Sequence, residues 1–525
     1  MNIEVTTGAD DGPGSLRQAI IAANAAPGST ITFSPAVTLV SLESELLITE
    51  NMTIIGNGSS LLEVTRATAD LFRIFSIIGN PDAIAVSITE MTISNGFDPT
   101  ANGGGIIAIN ATLNLEDVII TGNLASNGGG IFASGSTISL SNSVVSDNSS
   151  SIGGGINSSS STLTLNNSSV TGNTSSTGGG IFVTSSTASL VNSTISGNLA
   201  ATGTGGGILS SNSSSLSIES STISNNTSET TGGGITANLG SSLSISNSTI
   251  STNNTIGNGG GIFLSIENAT IINSTITNNT SSVGSGVTAT SATVTVMIGN
   301  TIIAENNGSG DAFGTFVSLG NNLIGAGDLA IGFVNNVNGD QVGTGVSPID
   351  PLLGPLVNNG GPTLTHALLP GSPAIDAGNN ANAPGPFDQR GPGFLRIVNG
   401  IVDIGSFEVQ AIVICYSGES LVLTKNILTK EIKEIAAKDV ISGIHLVFDV
   451  NKKLFVPVKL NIVTGNTERF MKINKDSVAE NQPNQNFYVT SGHRIMIDGV
   501  KVKARYITQA KRVKVPPQKV YSICT

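Results

Sequence analysis

Residues 1–410 are predicted to coil into a right-handed parallel β-helix, an all-β solenoid, and three observations support this fold class. A unit containing Gly-Gly-Gly-Ile recurs every 25–27 residues along the middle of the chain. Between these units, Ile, Val, Thr and Leu alternate with polar residues at the period of two that is typical of strands. No helical pattern of 10–15 residues separates the units, so the repeat fits a solenoid better than βαβ units or a leucine-rich horseshoe.

The glycine triplet marks the same point in each coil. The last residue of the motif falls at Ile106, Ile131, Ile156, Ile181, Ile208, Ile235 and Ile262, with a degenerate copy at Val287. Gly costs about 0.5–1 kcal/mol relative to Ala inside a strand. Three in every coil therefore indicate either a turn with positive φ or close stacking of backbone on backbone. None of the triplets is followed by the Lys and Ser/Thr of a phosphate-binding loop.

An asparagine recurs at a second fixed point of the unit. The column is Asn123, Asn148, Asn173, Asn198, Asn226, Asn253 and Asn279. Asn tolerates the left-handed region and hydrogen-bonds in stacks, so this column predicts a corner where side-chain amides form a ladder along the axis. With alternating stretches such as residues 137–140 and 162–165, each unit is expected to hold three short strands.

Charge divides the chain into two modules. Residues 1–414 contain no Lys, only five Arg and 26 acidic residues, for a net charge of −21. Residues 415–525 carry 18 basic and 9 acidic residues, for a net charge of +9. The acidic part is unsuited to binding nucleic acid through phosphates, and the spread Lys of the basic part are typical of a solvated face. No apolar run reaches the ~18 residues of a transmembrane helix, and no signal peptide is visible at the N-terminus.

Four segments follow from these patterns. Residues 1–60 are expected to form an N-terminal cap and the first coil, with a helix near residues 15–24 covering the end of the solenoid. Residues 61–345 are the β-helix repeats, and residues 346–410 are the closing segment. Residues 411–525 have a different composition and alternate as a small, mostly-β module.

Both ends of the first part resemble known proteins. The opening GPGSLRQAIIAANAAPGSTITF (12–33) and the closing IDPLLGPLVNNGGPTLTHALLPGSPAIDAG (349–378), DQRGPG (388–393) and VDIGSFE (402–408) resemble β-helix surface proteins related to pectate-lyase-like and polymorphic-outer-membrane-protein passengers. The resemblance implies the fold and display outside the cell or on a virion surface. It implies little about chemistry.

The coils themselves carry little that could catalyse a reaction. Pectate-lyase-like β-helices use clustered Asp, with Arg or Lys, to hold Ca²⁺ and abstract a proton beside a uronate carboxyl. Residues 124–304 contain only four acids, Asp147, Glu219, Glu229 and Glu267, at no shared phase of the repeat, and no Lys, Arg or His. We therefore predict no metal and no cofactor here. His366, in the closing segment, is predicted to be structural.

The basic module contains a candidate nucleophile. Cys415 follows an apolar strand and precedes Ser-Gly-Glu-Ser, and Thr490 and His493 lie together in TSGHRIMIDG. A Cys with Thr-x-x-His suits self-processing, in which the thiol attacks the carbonyl of Ile414 and converts an amide into a thioester. An ordinary buried Cys and a His in a β-turn would give the same spacing. The spacing alone therefore favours neither self-processing nor a structural role for these residues.

The same segments resemble a known autoprocessing fold. CYSGESLV and TSGHRIMIDG resemble the Hint fold of hedgehog autoprocessing domains and inteins, including modules appended to proteins of large DNA viruses. The resemblance implies that Cys415 is the nucleophile, that Thr490 and His493 assist, and that cleavage falls between Ile414 and Cys415. The final VYSICT (520–525) resembles only the start of the family's last strand pair, without its His-Asn. Splicing is therefore not expected, and a truncated module could cleave or be inert. Cys524 and His445 are expected to be ordinary strand residues.

The sequence thus predicts a structural or adhesive β-helix with a Hint-like module that self-cleaves, at most in a single turnover. The alternative is a carbohydrate-binding or carbohydrate-cleaving β-helix with an inert tail. Expected partners are surface glycans or host-surface molecules rather than nucleic acid. The protein is expected to be extracellular or on a virion or cell surface, and the sequence indicates no oligomeric state.

Overall fold

The computed structural model describes residues 1–410, except 267, 291–294 and 384, and the backbone of ten strands between residues 413 and 524. The chain separates into two units, Met1–Val409 and Gln410–Thr525. Among the described residues, no helix is long and apolar enough to cross a bilayer.

The described part of the first unit is a solenoid of parallel strands arranged in three long sheets. Sheet 1 contains Asn2–Val5, Ser29–Phe33, Met52–Ile55, Ile84–Thr89, Ala111–Glu116, Thr137–Ser141, Thr162–Asn166, Thr187–Val191, Ser215–Glu219, Ser242–Ser246, Asn268–Ile272, Thr295–Gly299 and Val317–Gly320. Sheet 2 contains Leu39–Leu42, Glu63–Arg66, Thr92–Ser94, Ile119–Thr121, Val144–Ser146, Ser169–Thr171, Thr194–Ser196, Thr222–Ser224, Thr249–Ser251, Thr275–Thr277, Ile302–Ala304, Leu323–Ile324 and Gln341–Val342. Sheet 3 contains Leu46–Ile48, Phe75–Ile78, Ile106–Ile109, Ile131–Ser134, Ile156–Ser159, Ile181–Thr184, Ile208–Ser211, Ile235–Asn238, Ile262–Ser265, Val287–Ala289, Ala312–Thr315 and Ala330–Ile331.

Each residue in the repeats pairs with its equivalent in the next coil. Ile131, for example, lies opposite Ile106 on one side and Ile156 on the other. The inward Ile, Leu and Val form one continuous core along the axis, and most are fully buried. Each buried aliphatic side chain contributes about 1.5–3 kcal/mol, so the in-register columns are the main source of cohesion between coils.

Both interpretations of the glycine triplet are confirmed, each for different glycines. The first glycine takes a positive φ, as at Gly128 (60°) and Gly153 (65°). The other two stack on the next coil: a Cβ on Gly129 would lie 2.5 Å from the carbonyl oxygen of Gly154. A Cβ on Gly130 would lie 2.7 Å from that of Gly155.

The asparagine column forms the expected amide ladder, but these residues do not take the left-handed conformation. Asn148 Nδ2 donates to Asn173 Oδ1 at 3.0 Å, and Asn173 Nδ2 donates to Asn198 Oδ1 at 3.0 Å. The positive φ belongs to the residue just before each ladder position, such as Asp147 (55°) or Gly172 (65°). That residue makes the corner, so the ladder Asn can keep its amide pointed into the solenoid.

Most repeats also contain a fourth, very short strand that the sequence did not predict. These strands follow the Asn ladder and are Thr174–Ser175, Leu199–Ala200, Thr227–Ser228, Asn254–Thr255, Thr280–Val283 and Asn307–Ser309, with the pair Phe97–Asn102 and Leu124–Asn127 nearer the N-terminus. Most have only two to four residues and no apolar alternation, so periodicity could not reveal them.

One α-helix, Leu16–Asn24, lies against the first strands of sheets 1 and 3 within the described residues. Ser15 begins it, because its Oγ accepts from the Gln18 N–H at 3.3 Å. Arg17 anchors it to the coil, donating to the Asp10 carboxylate at 2.5 Å and to the Ser44 carbonyl at 2.8 Å. Whether this helix acts as a cap stays a prediction.

The closing residues 349–409, here called the strap, run back over the outer face of sheet 2. The strap includes an antiparallel hairpin of Leu353–Val357 and Thr365–Leu368, and a 3-10 turn at Asn380–Asn382. Beneath it, the outward residues of Thr222–Ser224, Thr249–Ser251 and Thr275–Thr277 are buried. The strap is therefore part of the folded solenoid rather than a free linker.

The described strands of the second unit are antiparallel. One sheet has the order Val413–Ser417, Lys511–Cys524, Asn461–Ile473, Phe487–Val489. A second has the order Lys430–Glu431, Leu421–Thr424, His445–Asp449, Leu454–Val458, and Arg494–Ile497 pairs with Val500–Lys503.

Candidate functional sites

A groove lined by hydroxyl groups runs across four successive coils, at the turn between sheets 3 and 1. Its volume is about 360 Å³. The lining residues are Gly135, Ser136, Thr137, Ser160, Ser161, Thr162, Ser185, Ser186, Thr187, Ser213 and Ser215. No charged or aromatic side chain lies among them.

A serine ladder inside the turn sets the shape of this groove. Ser136 N–H donates to Ser161 Oγ at 3.0 Å, and Ser161 N–H donates to Ser186 Oγ at 2.9 Å. Because the middle serine of each turn is buried, the residue after it points to solvent, as Thr137 and Thr162 do. Adjacent strands lie about 4.7–4.9 Å apart, so the groove presents a regular row of exposed hydroxyls at that spacing.

The electrostatic environment of the groove is neutral to acidic. Residues 74–389 contain no Lys or Arg, while acidic residues are scattered through them. Neutral hydroxyls both donate and accept hydrogen bonds, which suits a ligand with hydroxyls of its own. A polyanion would meet no positive charge here.

The acids of the coils are not brought together. Asp147 lies at the corner before the Asn ladder, Glu219 ends a strand of sheet 1, and Glu229 follows a short fourth strand. Glu267 lies outside the described residues. Among the described residues, no three His, Cys, Asp or Glu side chains are grouped so that they could hold a metal ion.

The charged residues of DQRGPG and VDIGSFE form a buried cluster within the strap, which the sequence pattern did not predict. Arg390 binds the Asp388 carboxylate through Nε at 3.1 Å and Nη2 at 2.5 Å. The Arg390 guanidinium lies between the rings of Phe394 and Phe407, at 4.0 and 3.7 Å. These contacts tie the two motifs together, so their charges are explained by folding of the strap.

Two other carboxyls of this cluster hold backbone N–H groups. Glu408 accepts from Val398 and Asp403 at 2.8 Å each, and Asp403 accepts from Asp376 and Val409 at 2.7 Å each. Burial raises the pKa of Asp403 to about 6 and, with the nearby Asp403 charge, that of Glu408 to about 8. The strap therefore contains carboxyls that titrate near neutral pH.

His366 is structural, as predicted. It is 2% exposed. Its Nε2 lies 2.9 Å from Ser251 Oγ and its Nδ1 lies 2.7 Å from the Gly354 carbonyl oxygen. Burial lowers the pKa of His366, so it is a neutral bridge between the strap and sheet 2.

The candidate processing residues are only partly described. Ile414 and Cys415 lie on the strand Val413–Ser417, opposite Ile523 and Ser522 of the last strand. Thr490 and His493 lie outside the described residues. Cys524 ends the last strand and His445 begins another, as strand residues were expected to do.

Comparison with known families agrees with the coil geometry. Residues 76–250 and 174–324 match the family model described as right handed beta helix region. The solenoid is thus a right-handed parallel β-helix, of about 12 turns.

Three solved structures are similar at low identity. Pectate lyase Pel9A is 14% identical, with a TM-score of 0.40 over 78% of this chain and 96% of that one. The A-modules of the Azotobacter vinelandii mannuronan C-5 epimerases AlgE6 and AlgE4 are each 13% identical, with TM-scores of 0.36 and 0.31. They cover 65% and 64% of this chain and 98% and 96% of their own. Comparison with curated proteins gives no match.

Proposed function

We propose that the β-helix is a structural and adhesive rod that binds neutral glycans at a surface through the hydroxyl groove. The observation that carries this proposal is the uninterrupted row of exposed Ser and Thr across four coils, on a stretch of 316 residues (74–389) without a single Lys or Arg. The buried ladders make the row rigid, so a ligand would not have to order it on binding.

The absence of cations decides between classes of glycan. Uronate polymers carry a negative charge on each residue and would be repelled by a β-helix with a net charge of −21 in residues 1–414. A neutral glycan pays no such cost. Each hydroxyl contact is worth only about 0.5–1.5 kcal/mol, so tight binding requires contacts on several coils at once.

The test is a glycan array that contains neutral polysaccharides and polyuronates, probed with the full chain. We expect binding to neutral glycans, lost when Thr137, Thr162 and Thr187 are all replaced by Ala. Ser217→Ala with Ser244→Ala is the matched control, because both hydroxyls are exposed on sheet 1 outside the groove. Preference for uronates, or binding that survives the triple substitution, would refute the proposal.

Cleavage of a carbohydrate by the coils has less support, because Asp147, Glu219 and Glu229 lie on different parts of the coil. A uronate-release assay with Ca²⁺ tests this alternative directly. Release of unsaturated uronate would favour it over simple binding.

A second function is proposed for the C-terminal unit, namely cleavage of the chain between Ile414 and Cys415. The motifs CYSGESLV and TSGHRIMIDG support it, with Cys415, Thr490 and His493 in the roles that the Hint resemblance implies. The Cys415 thiolate would attack the Ile414 carbonyl carbon while the peptide nitrogen takes a proton from His493, which leaves a thioester. An added thiol or water would then release residues 1–414.

The position of the cut also fits the fold of the first unit. Near the end of the strap, the Val409 N–H donates to the Asp403 carboxylate at 2.7 Å. The bond to be cut lies beyond Val409, so the strap contacts would survive release.

A denaturing gel with and without dithiothreitol tests this proposal. We expect a thiol-dependent fragment of residues 1–414 that Cys415→Ala abolishes and Cys524→Ala, the control, retains. A wild-type chain that stays intact with every thiol, or a fragment that persists in Cys415→Ala, would show that the proposed cleavage is wrong.

A further inference from the structure

The strap covers only part of sheet 2, and the boundary is sharp. The strand Thr222–Ser224 is buried at all three positions, as are the equivalent strands of the coils that follow. In the four preceding coils the outward positions are half-exposed, while the inward position remains buried. Those strands are Ile119–Thr121, Val144–Ser146, Ser169–Thr171 and Thr194–Ser196.

The covered coils show how this face binds a polypeptide. Asn300, at the turn before its strand, accepts from the Asn379 N–H at 2.8 Å and donates to the Asn379 carbonyl at 2.9 Å. One side-chain amide thus holds both backbone groups of one strap residue. In the adjacent coil, Asn273 Nδ2 donates to the Asn382 carbonyl at 2.6 Å.

Strand hydroxyls add a second row of contacts to the same polypeptide. Thr222 Oγ1 donates to the Leu364 carbonyl at 2.6 Å. Thr249 Oγ1 donates to Gln389 Oε1 at 2.6 Å. The receiving face therefore uses turn Asn residues in the coils of Asn273 and Asn300, and outward Thr residues in the coils of Thr222 and Thr249.

Both rows continue into the uncovered coils. Three of the four turn positions there are Asn142, Asn167 and Asn192, each with a positive φ close to that of Asn300, and the fourth is Asp117. Thr194 and Ser196 pair in register with Thr222 and Ser224 of the first covered coil. We call this surface the free strip: the three turn Asn and the outward residues of the four uncovered strands.

We propose that the free strip is a docking surface for a polypeptide segment of another protein, bound along the axis as the strap is. The strip is continuous with the strap interface. It repeats the outward Ser and Thr in the two coils next to the strap, whereas Ile119 and Val144 take the first outward position in the two coils beyond them. Since no Lys or Arg lies between residues 74 and 389, the segment is uncharged or basic, with small side chains that allow its backbone to reach the Asn amides.

The strap also indicates the conformation that fits. Ala377, Asn379 and Asn382 contact Asn321, Asn300 and Asn273, which belong to three successive coils. Two to three residues therefore cross each coil spacing of about 4.8 Å. A fully extended β-strand rises about 3.3 Å per residue and would cross one coil spacing in fewer residues. The backbone of the bound segment is therefore moderately compressed relative to a β-strand.

The test uses fluorescence anisotropy of a labelled synthetic peptide of residues 361–383 that carries Asp376→Asn, and is therefore uncharged in its side chains at neutral pH, with the full chain. We expect saturable binding that weakens at least tenfold when Asn142, Asn167 and Asn192 are all replaced by Gly, which removes the amides and tolerates the positive φ. Ser160→Gly with Ser185→Gly is the control, since these are exposed positive-φ turn residues on the other side of the same coils.

Three results would overturn the proposal. They are no saturable binding of the peptide, equal binding of a scrambled peptide, and equal weakening by the Ser160/Ser185 control. Sedimentation equilibrium of the chain alone completes the test. A dimer that the Asn→Gly triple dissociates would show that a second copy, and not a segment of another protein, occupies the strip.

Discussion

Replacing Asn198 by Ala would remove one rung of the buried amide ladder and leave the core aliphatics untouched. Asn198 Oδ1 accepts from the backbone N–H and Nδ2 of Asn173, both at 3.0 Å. Its Nδ2 donates to the Val170 carbonyl and to Asn226 Oδ1, both at 2.9 Å. The substitution therefore deletes four hydrogen bonds in a site that is 1% exposed.

The expected cost follows from these bonds. Asn173 Nδ2 keeps other acceptors and Asn226 Oδ1 keeps the Asn198 backbone N–H, so the main penalty falls on the Asn173 N–H. A buried donor without a partner costs about 1–3 kcal/mol, and each lost bond costs about 0.5–1.5 kcal/mol net. We expect a loss of about 3–5 kcal/mol, confined to neighbouring coils because a solenoid is stabilised by nearest-neighbour contacts.

Hydrogen–deuterium exchange read by mass spectrometry measures this local effect. A loss of about 3 kcal/mol raises the open population roughly 100-fold, so amides of residues 170–226 should lose that much protection while those of residues 40–90 do not. Asn166→Ala is the control, because Asn166 is exposed at the end of its strand, and about 0.5 kcal/mol or less is expected. Equal protection loss in the two variants would show that the ladder does not stabilise the coils.

Three further predictions concern the glycine stack, the strap and the ladder end. Gly130→Ala should destabilise its coils by more than about 3 kcal/mol, because its Cβ would meet a carbonyl at 2.7 Å. Gly135→Ala, with open space around the added Cβ, should cost only about 1 kcal/mol because of its positive φ. Urea titration of the two variants compares their free energies of unfolding. Because burial raises the pKa of Glu408 from 4.5 to about 8, the folded strap binds the extra proton, and its resistance to protease should fall as pH rises from about 4.5 to 8; a flat profile would contradict this. Asp311→Asn should cost about 1–3 kcal/mol and remove the loss of stability with rising pH that its raised pKa implies, as thermal unfolding at several pH values would show.

The columns of the repeat were predictable because each coil obeys the same local rules. Glycine triplets and ladder asparagines recur at fixed spacing, and in the folded chain they stack in register. The serine ladder that shapes the groove was missed, because Ser is common at every exposed position and so gives no contrast in the sequence. The ladder position of Ser161 is distinguished only by burial.

The path of the strap could not be predicted from local sequence. Its contacts join residues about 140 apart, such as Thr222 with Leu364 and Thr249 with Gln389. The motifs DQRGPG and VDIGSFE indicated that a closing segment exists, but nothing in them shows which face it covers. The free strip follows only from that path.

The ladders also show how the solenoid marks its last coils. Each ladder Asn donates its backbone N–H and its Nδ2 to the side-chain oxygen of the ladder residue in the next coil. The last residue of the ladder therefore accepts two hydrogen bonds and has no ladder residue after it to which it could donate. A carboxylate meets that requirement, since it accepts only. Asp311 Oδ1 accepts both the N–H and Nδ2 of Asn306, at 2.8 and 2.9 Å, and Asp340 Oδ1 does the same for Asn322, at 2.9 and 3.0 Å. Asp340 follows Asn322 in the same column, just before the last strand of sheet 2, so an Asn there would direct an amide donor at a coil that the described strands do not continue. Asp311 instead lies five residues after Asn306, outside the ladder column, and its Oδ2 accepts from the Ala326 N–H at 2.6 Å, so it ends the Asn ladder while a further coil follows.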